Sequence, residues 1–129
     1  MERKKSAIFC KINLDYLEEV TDASPTSMLE IIDVFLRVVP AELDRIRTLI
    51  EQQTVNELSV AIHKLGPKYH YVGITDLNET LVQMEKKIQE GELPACLDDL
   101  EEIERTTNAA IKELHMVKEN LHRELQLLV

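Results

Sequence analysis

Residues 61–77 read A-I-H-K-L-G-P-K-Y-H-Y-V-G-I-T-D-L, from Ala61 to Leu77. Ile62, Leu65, Tyr69 and Val72 recur at helical spacing, and Leu58 and Val55 extend the same stripe upstream. The pattern predicts an amphipathic helix that stops at Gly73. At about 100° per residue the stripe centres roughly 140–160° from His63, which therefore projects to solvent in mid-helix. Gly66 and Pro67 lie beside the imidazole with almost no side-chain bulk, and His70 falls two turns along nearly the same line. Ser59, one turn upstream, completes a cleared surface over which a partner can approach the ring.

Charge sharpens that picture. Between Leu58 and Thr75 there is no acidic residue, and Lys64 and Lys68 carry the only formal charges. The chain as a whole has a net charge of −9. This stretch would tolerate a phosphoryl group that most of the surface would repel. Neutral imidazole is an adequate nucleophile near neutral pH. An ordinary solvated histidine between lysines fits the same residues, and His115 and His122 in the last helix carry only that meaning. A zinc site formed by His63 and His70 is disfavoured, because two helical turns separate the rings by roughly 10 Å.

Outward from this stretch the chain reads as helix throughout. Asn13–Thr21 forms a short helix with Leu14, Leu17 and Val20 toward the body, behind a loosely held arm over residues 1–12. Ser24 caps the next helix and Pro25 takes its first position, where a missing N–H costs nothing. That helix runs to about Gln52 on a stripe of Leu29, Ile32, Leu36, Val39, Leu43, Ile46 and Ile50, widened by Phe35, with a kink at Pro40. Thr54 and Glu57 fit a capping box for the helix that carries His63.

A fourth helix, Thr75–Glu90, buries Leu77, Leu81, Met84 and Ile88 and ends at Gly91. The last, Pro94–Leu127, carries Leu100, Ile103, Ala110, Leu114, Val117, Leu121 and Leu128, with Thr107 and Leu125 filling the repeat. It would be roughly 50 Å long against roughly 25 Å for the fourth. The overhang is covered by the long second helix and then by the short first helix, or by a second copy pairing weakly through the C-terminal helix. Four stripes on short connections make an all-α, antiparallel up-down four-helix bundle, with the short N-terminal helix across one end, as a single domain over residues 13–129.

Composition agrees. At 129 residues the chain can bury one core without staples. Three glycines, four prolines and no tryptophan, in a chain 44% hydrophobic and 30% charged, speak against a sandwich or barrel. The acidic balance excludes nucleic acid as a partner and favours a protein. No apolar run approaches the ~20 residues a membrane span needs. Cys10 and Cys96 show no pairing or metal-ligand spacing and read as free thiols of a reducing cytoplasm.

The residues around His63 resemble the signature of histidine-containing phosphotransfer (HPt) domains, written A-H-x-L-K-G-x-x-x-x-x-G. Here Leu65 follows two after the histidine and Gly73 ten after it. Leu77, Leu81 and Glu85 resemble the L-x-x-x-L-x-x-x-E that commonly follows, the short first helix matches the family's leading helix, and Phe35 matches a phenylalanine of its second. The likeness covers about residues 13–115. Two positions depart: Gly66 stands where the family usually has lysine, and Pro67 where it usually has glycine, although some members read H-K-L-K-P.

The resemblance implies a phosphorelay carrier that accepts a phosphoryl group on His63 from a receiver-domain aspartate and passes it to another receiver. Lys64 or Lys68 would stabilise the phosphohistidine in place of the absent lysine. It implies no cofactor of the chain's own, since Mg²⁺ belongs to the receiver, and no metal site. The partners would be receiver domains of response regulators, or of a hybrid sensor kinase. No Gly-rich nucleotide loop is present, so the chain would not phosphorylate itself from ATP. The alternative is a receiver-docking or helical adaptor module that no longer carries phosphate. A metal-binding bundle is disfavoured because no E-x-x-H spacing lies on the buried stripes.

Overall fold

Ser24 opens the longest early element. Its Oγ accepts the N–H of Ser27 at 3.3 Å, and Pro25 occupies the first helical position. The computed structural model describes residues 9–127. In chain order these form α1 (Asp15–Val20), α2 (Pro25–Glu51), α3 (Val55–Tyr71), α4 (Asn78–Gln89), a single 3₁₀ turn (Leu93–Ala95) and α5 (Cys96–Leu127), with no strand among the described residues. α2 runs through Pro40 without a break. Pro40 has no N–H for the carbonyl of Leu36, but the site is only half-buried, so water can satisfy that carbonyl. Phe35 takes the core position there, and Leu36, expected in the stripe, sits half-buried at its margin.

α2 and α5 form the spine of the bundle and lie antiparallel. Asp33 pairs with Lys118 and Arg47 with Glu104. Advancing along α2 from Asp33 to Arg47 thus retreats along α5 from Lys118 to Glu104 by the same number of residues. α3 packs on α2, α4 on α3, and α5 on α4, which closes the up-down ring. At 17 and 12 residues α3 and α4 are much shorter than α2 and α5, at 27 and 32. Their lengths are roughly 25 and 18 Å against roughly 40 and 48 Å. Leu17 of α1 is fully buried in the core that also holds Met28 and Leu121, and α1 packs on α3.

The segment ahead of α1 is seated rather than loose. The carboxylate of Glu113 accepts the backbone N–H groups of Cys10, Lys11 and Ile12 at 3.1, 2.8 and 3.1 Å. The N–H of Asn13 then donates to the carbonyl of Val72 at 3.1 Å. Of the arm expected over residues 1–12, residues 10–12 are held in this way, Phe9 packs against the core, and the remainder lies outside the described residues. Gly73 makes this approach possible. It ends α3 with φ of +70°, its N–H bonding the carbonyl of His70 while Ile74 bonds that of Tyr69. A Cβ at position 73 would stand 2.0 Å from the carbonyl oxygen of Asn13.

Several local expectations are corrected. Val20 and Val55 are 48% and 41% exposed, because the ends of α1 and α3 reach past the core. No capping box forms at Thr54: its hydroxyl donates back to the carbonyl of Leu49, and Glu57 pairs with Arg45 instead. The fourth helix starts at Asn78, not Thr75, because residues 75–77 form a turn closed by the Asn78 N–H on the Thr75 carbonyl. Pro94 lies in the 3₁₀ turn, so the last α-helix begins at Cys96. Leu128 lies outside the described residues. Both cysteines are free, Cys10 exposed and Cys96 buried.

Candidate functional site

Leu58, Ile62, Leu65 and Tyr69 are all buried on one face of α3, and His63 stands on the other with 86% of its side chain exposed. Helical phase alone places it there. Tyr69 fixes α3 in rotation: its hydroxyl lies 2.9 Å from that of Thr107 on α5, inside the core, and its ring meets Phe35 edge-on. Burial pushes the Tyr69 phenol up to about 12, with the Glu42 carboxylate adding to burial and the Thr107 hydrogen bond opposing it. Leu65 and Leu77 are fully buried and, with Gly73, act as framework.

The face around His63 is not free of acid. α4 brings Glu85 against the ring, with Oε1 at 3.3 Å from Nδ1. A count along α3 alone misses this, because the carboxylate comes from the neighbouring helix. A carboxylate can only accept, so in the neutral ring this contact favours the proton on Nδ1, which leaves the Nε2 lone pair directed away from Glu85. The one signal in the sequence is spacing: Glu85 follows Leu81 by one helical turn and so stays near the α3-facing side of α4.

Gly66 and Pro67 flank the histidine on α3. A Cβ at Gly66 would meet nothing within 4 Å. Beside it runs a shallow groove of about 280 Å³ between α3 and α4, lined by Ile62, His63, Gly66, Asn78, Leu81, Val82 and Glu85. Pro67 withholds the N–H that would bond the carbonyl of His63 one turn back. Glycine at position 66 relieves the crowding that a proline imposes on the Cβ of the residue before it, so α3 stays helical through the pair.

The two lysines fall elsewhere. The ammonium of Lys68 lies 2.9 Å from Oε1 of Glu42 on α2 and donates to the carbonyl of Lys64 at 3.2 Å. Lys64 lines a separate groove between α2 and α3, shared with Arg45, Asn56 and Val60. Neither lysine lines the groove that holds His63. Ser59 is half-buried on α3, and Pro67 is exposed. His70 is exposed but engaged: the ring of Tyr16 on α1 meets it edge-on at 4.3 Å between centroids and also touches Tyr71 at 5.6 Å. The surface around His63 therefore runs into α1 at that end rather than into open solvent.

Among the described residues no group of three or more His, Cys, Asp or Glu side chains could hold a metal ion. No helix among them is long and apolar enough to cross a membrane. The family model of the Hpt domain matches residues 30–125, most of the chain, including α3, α4 and the groove between them. Comparison with curated proteins and with solved structures gives no match.

Proposed function

The chain belongs to the Hpt domain family, and on that footing we propose that it is a phosphorelay carrier of two-component signalling, with His63 as the phosphoryl-accepting residue. Family membership carries the general role: such domains interact with receiver domains and pass phosphoryl groups without acting as kinases. The observation that supports His63 is its geometry, with the imidazole exposed, Nδ1 held by Glu85 and Nε2 outward.

In the forward step Nε2 attacks the acyl phosphate of a receiver aspartate. The P–Nε2 bond forms, the P–O bond breaks, and its electron pair leaves on the aspartate carboxylate. The proton on Nδ1 stays in place, so the ring becomes cationic and the Glu85 carboxylate offsets that charge. Return to a second receiver reverses the sequence, with no proton to move in either direction. Mg²⁺ and the acidic cluster that binds it are the receiver's contribution. Glu85 is a positioning residue here, since it acts through the ring and not on phosphorus.

The test is incubation with a phosphorylated receiver domain and Mg²⁺. An acid-labile label on the wild type that is absent from His63→Gln is the expected result; no label, or equal label on both, sinks the reading. One observation favours a second reading, a receiver-docking module that no longer carries phosphate: Glu42 neutralises Lys68, and among the described residues no lysine lines the His63 groove. That reading requires receiver binding without label, unchanged in His63→Ala.

A further inference from the structure

We infer that residues 9–20 form an exchangeable segment, which two copies of the chain swap to make a dimer through a hinge at Asp22 and Ala23. The inference concerns assembly and holds whether or not His63 carries phosphate.

The hinge is the first ground. α1 ends at Val20 and α2 begins at Pro25, so residues 21–24 make the whole connection. Two of them in succession, Asp22 and Ala23, have φ of 51° and 57°. The left-handed region presses Cβ against the following carbonyl, and alanine has no polar side-chain group to compensate. Ser24 beyond them is already extended, at φ −66° and ψ 117°, the conformation favoured ahead of proline. Once Asp22 and Ala23 also extend, their strain is released and residues 22–24 become one straight connection that carries α1 away from its own α2. The turn gives up the bonds from Ala23 N–H to the Glu18 carbonyl at 2.7 Å and from Ser24 N–H to the Thr21 carbonyl at 3.0 Å. Neither Ala23 nor Ser24 is buried, so water replaces these bonds at small net cost. Short hinges under strain favour exchange between copies.

The seat of the segment is the second ground. Glu113 accepts the N–H groups of Cys10, Lys11 and Ile12, and Lys11 pairs with Asp76 at 3.2 Å. Asn13 donates to the Val72 carbonyl, and Tyr16 meets His70 and Tyr71 edge-on. These partners lie on α3, the turn after it and α5, not on α2, to which the segment is joined. The same segment of a second copy can therefore make each contact with unchanged geometry. Ile12 and Leu17 are buried and Phe9 packs on the core, so a displaced segment leaves an apolar seat that a second copy fills. Exchange keeps these contacts and relieves the hinge; the lost independence of two chains opposes it, so the dimer grows with concentration. In that dimer Tyr16 of each chain rests on His70 of the other, two turns along α3 from His63.

The experiment mixes the full chain at natural isotope abundance with the same chain labelled with ¹⁵N, incubates the mixture warm at high concentration, and separates monomer from dimer by size exclusion. A carbodiimide then joins the Lys11 amine to the Asp76 carboxylate as an amide, with loss of water, and mass spectrometry reads the linked peptides. We expect pairs of one light and one heavy peptide in the dimer and none in the monomer. Ala23→Gly, which eases the left-handed turn, should lower the dimer fraction several-fold at equal concentration. Ala23→Pro, whose ring forbids positive φ, should raise it several-fold.

A dimer whose linked pairs are all of one isotope, as pairing through α5 would give, overturns the proposal. So does a wild type that stays monomeric at every concentration, or a dimer fraction that Ala23→Gly leaves unchanged.

Discussion

Glu85 Oε1 and His63 Nδ1 are 3.3 Å apart across the α3–α4 interface, and in the neutral ring that contact favours the proton on Nδ1. Replacing Glu85 by Ala should lower the population of the Nδ1–H tautomer, seen in ¹⁵N spectra of the histidine ring. It should also slow phosphorylation of His63 roughly tenfold, the low end of what a hydrogen bond to a charged group contributes. Glu85→Gln keeps an acceptor but loses the charge, so it should retain the tautomer and fall between the two in rate. A wild-type rate in Glu85→Ala with an unchanged tautomer would remove Glu85 from the site.

Gly73→Ala should destabilise the chain by at least about 2 kcal/mol, since a non-glycine residue in the left-handed region costs roughly 1–2 kcal/mol before any clash is added. The clash is with the Asn13 carbonyl, so the loss should appear locally as well. Backbone amides of residues 10–13 should exchange faster with solvent once the segment lifts from Val72 and Glu113. Urea melts combined with hydrogen exchange measure both effects; a stable variant with unchanged protection at these amides contradicts the account.

Tyr69 ties stability to alkaline pH. Its phenol is held up to about 12, mainly by burial, so the folded chain binds this proton more tightly than the unfolded one. The contribution is therefore complete below the unfolded phenol's value near ~10 and is lost as pH rises from there through about 12. Tyr69→Phe should flatten that part of the pH–stability profile. It should cost about 1 kcal/mol at neutral pH, through loss of the hydrogen bond with Thr107. Thermal melts across the alkaline range, wild type against variant, provide the comparison.

Much of this was legible in the sequence, and the failures share a cause. Helical phase put His63 outside and Leu58, Ile62, Leu65 and Tyr69 inside, because α3 is a regular helix whose buried stripe needs no tertiary information to find. The same reasoning could not see Glu85, which reaches His63 from another helix, or Glu42, which takes Lys68 away from it. Charge counted along one element is silent about its neighbours. Thr54 and Glu57 have capping-box spacing, but Leu49 and Arg45, both from α2, provide partners that a local motif cannot anticipate. The backbone of residues 10–12 is likewise held by a side chain far along the chain, Glu113. Phase and turn chemistry are local properties; ion pairs and docked segments depend on packing.

The antiparallel α2–α5 pair also sets an order on folding. α2 meets α3 across Gln52, Gln53 and Thr54, so that hairpin closes at little entropic cost, whereas joining α5 to α2 closes a loop that spans all of α3 and α4. Sequence separation therefore predicts that the α2–α5 contact, the most extensive among the described helices, forms after the α2–α3 hairpin. Leu58→Ala, on the early α2–α3 side, should act mainly by slowing refolding. Leu114→Ala, on the buried face of α5, should act mainly by speeding unfolding, and the two limbs of a chevron plot separate these cases. On that prediction, unfolding starts where α5 lies on α2, ahead of the hairpin that carries His63.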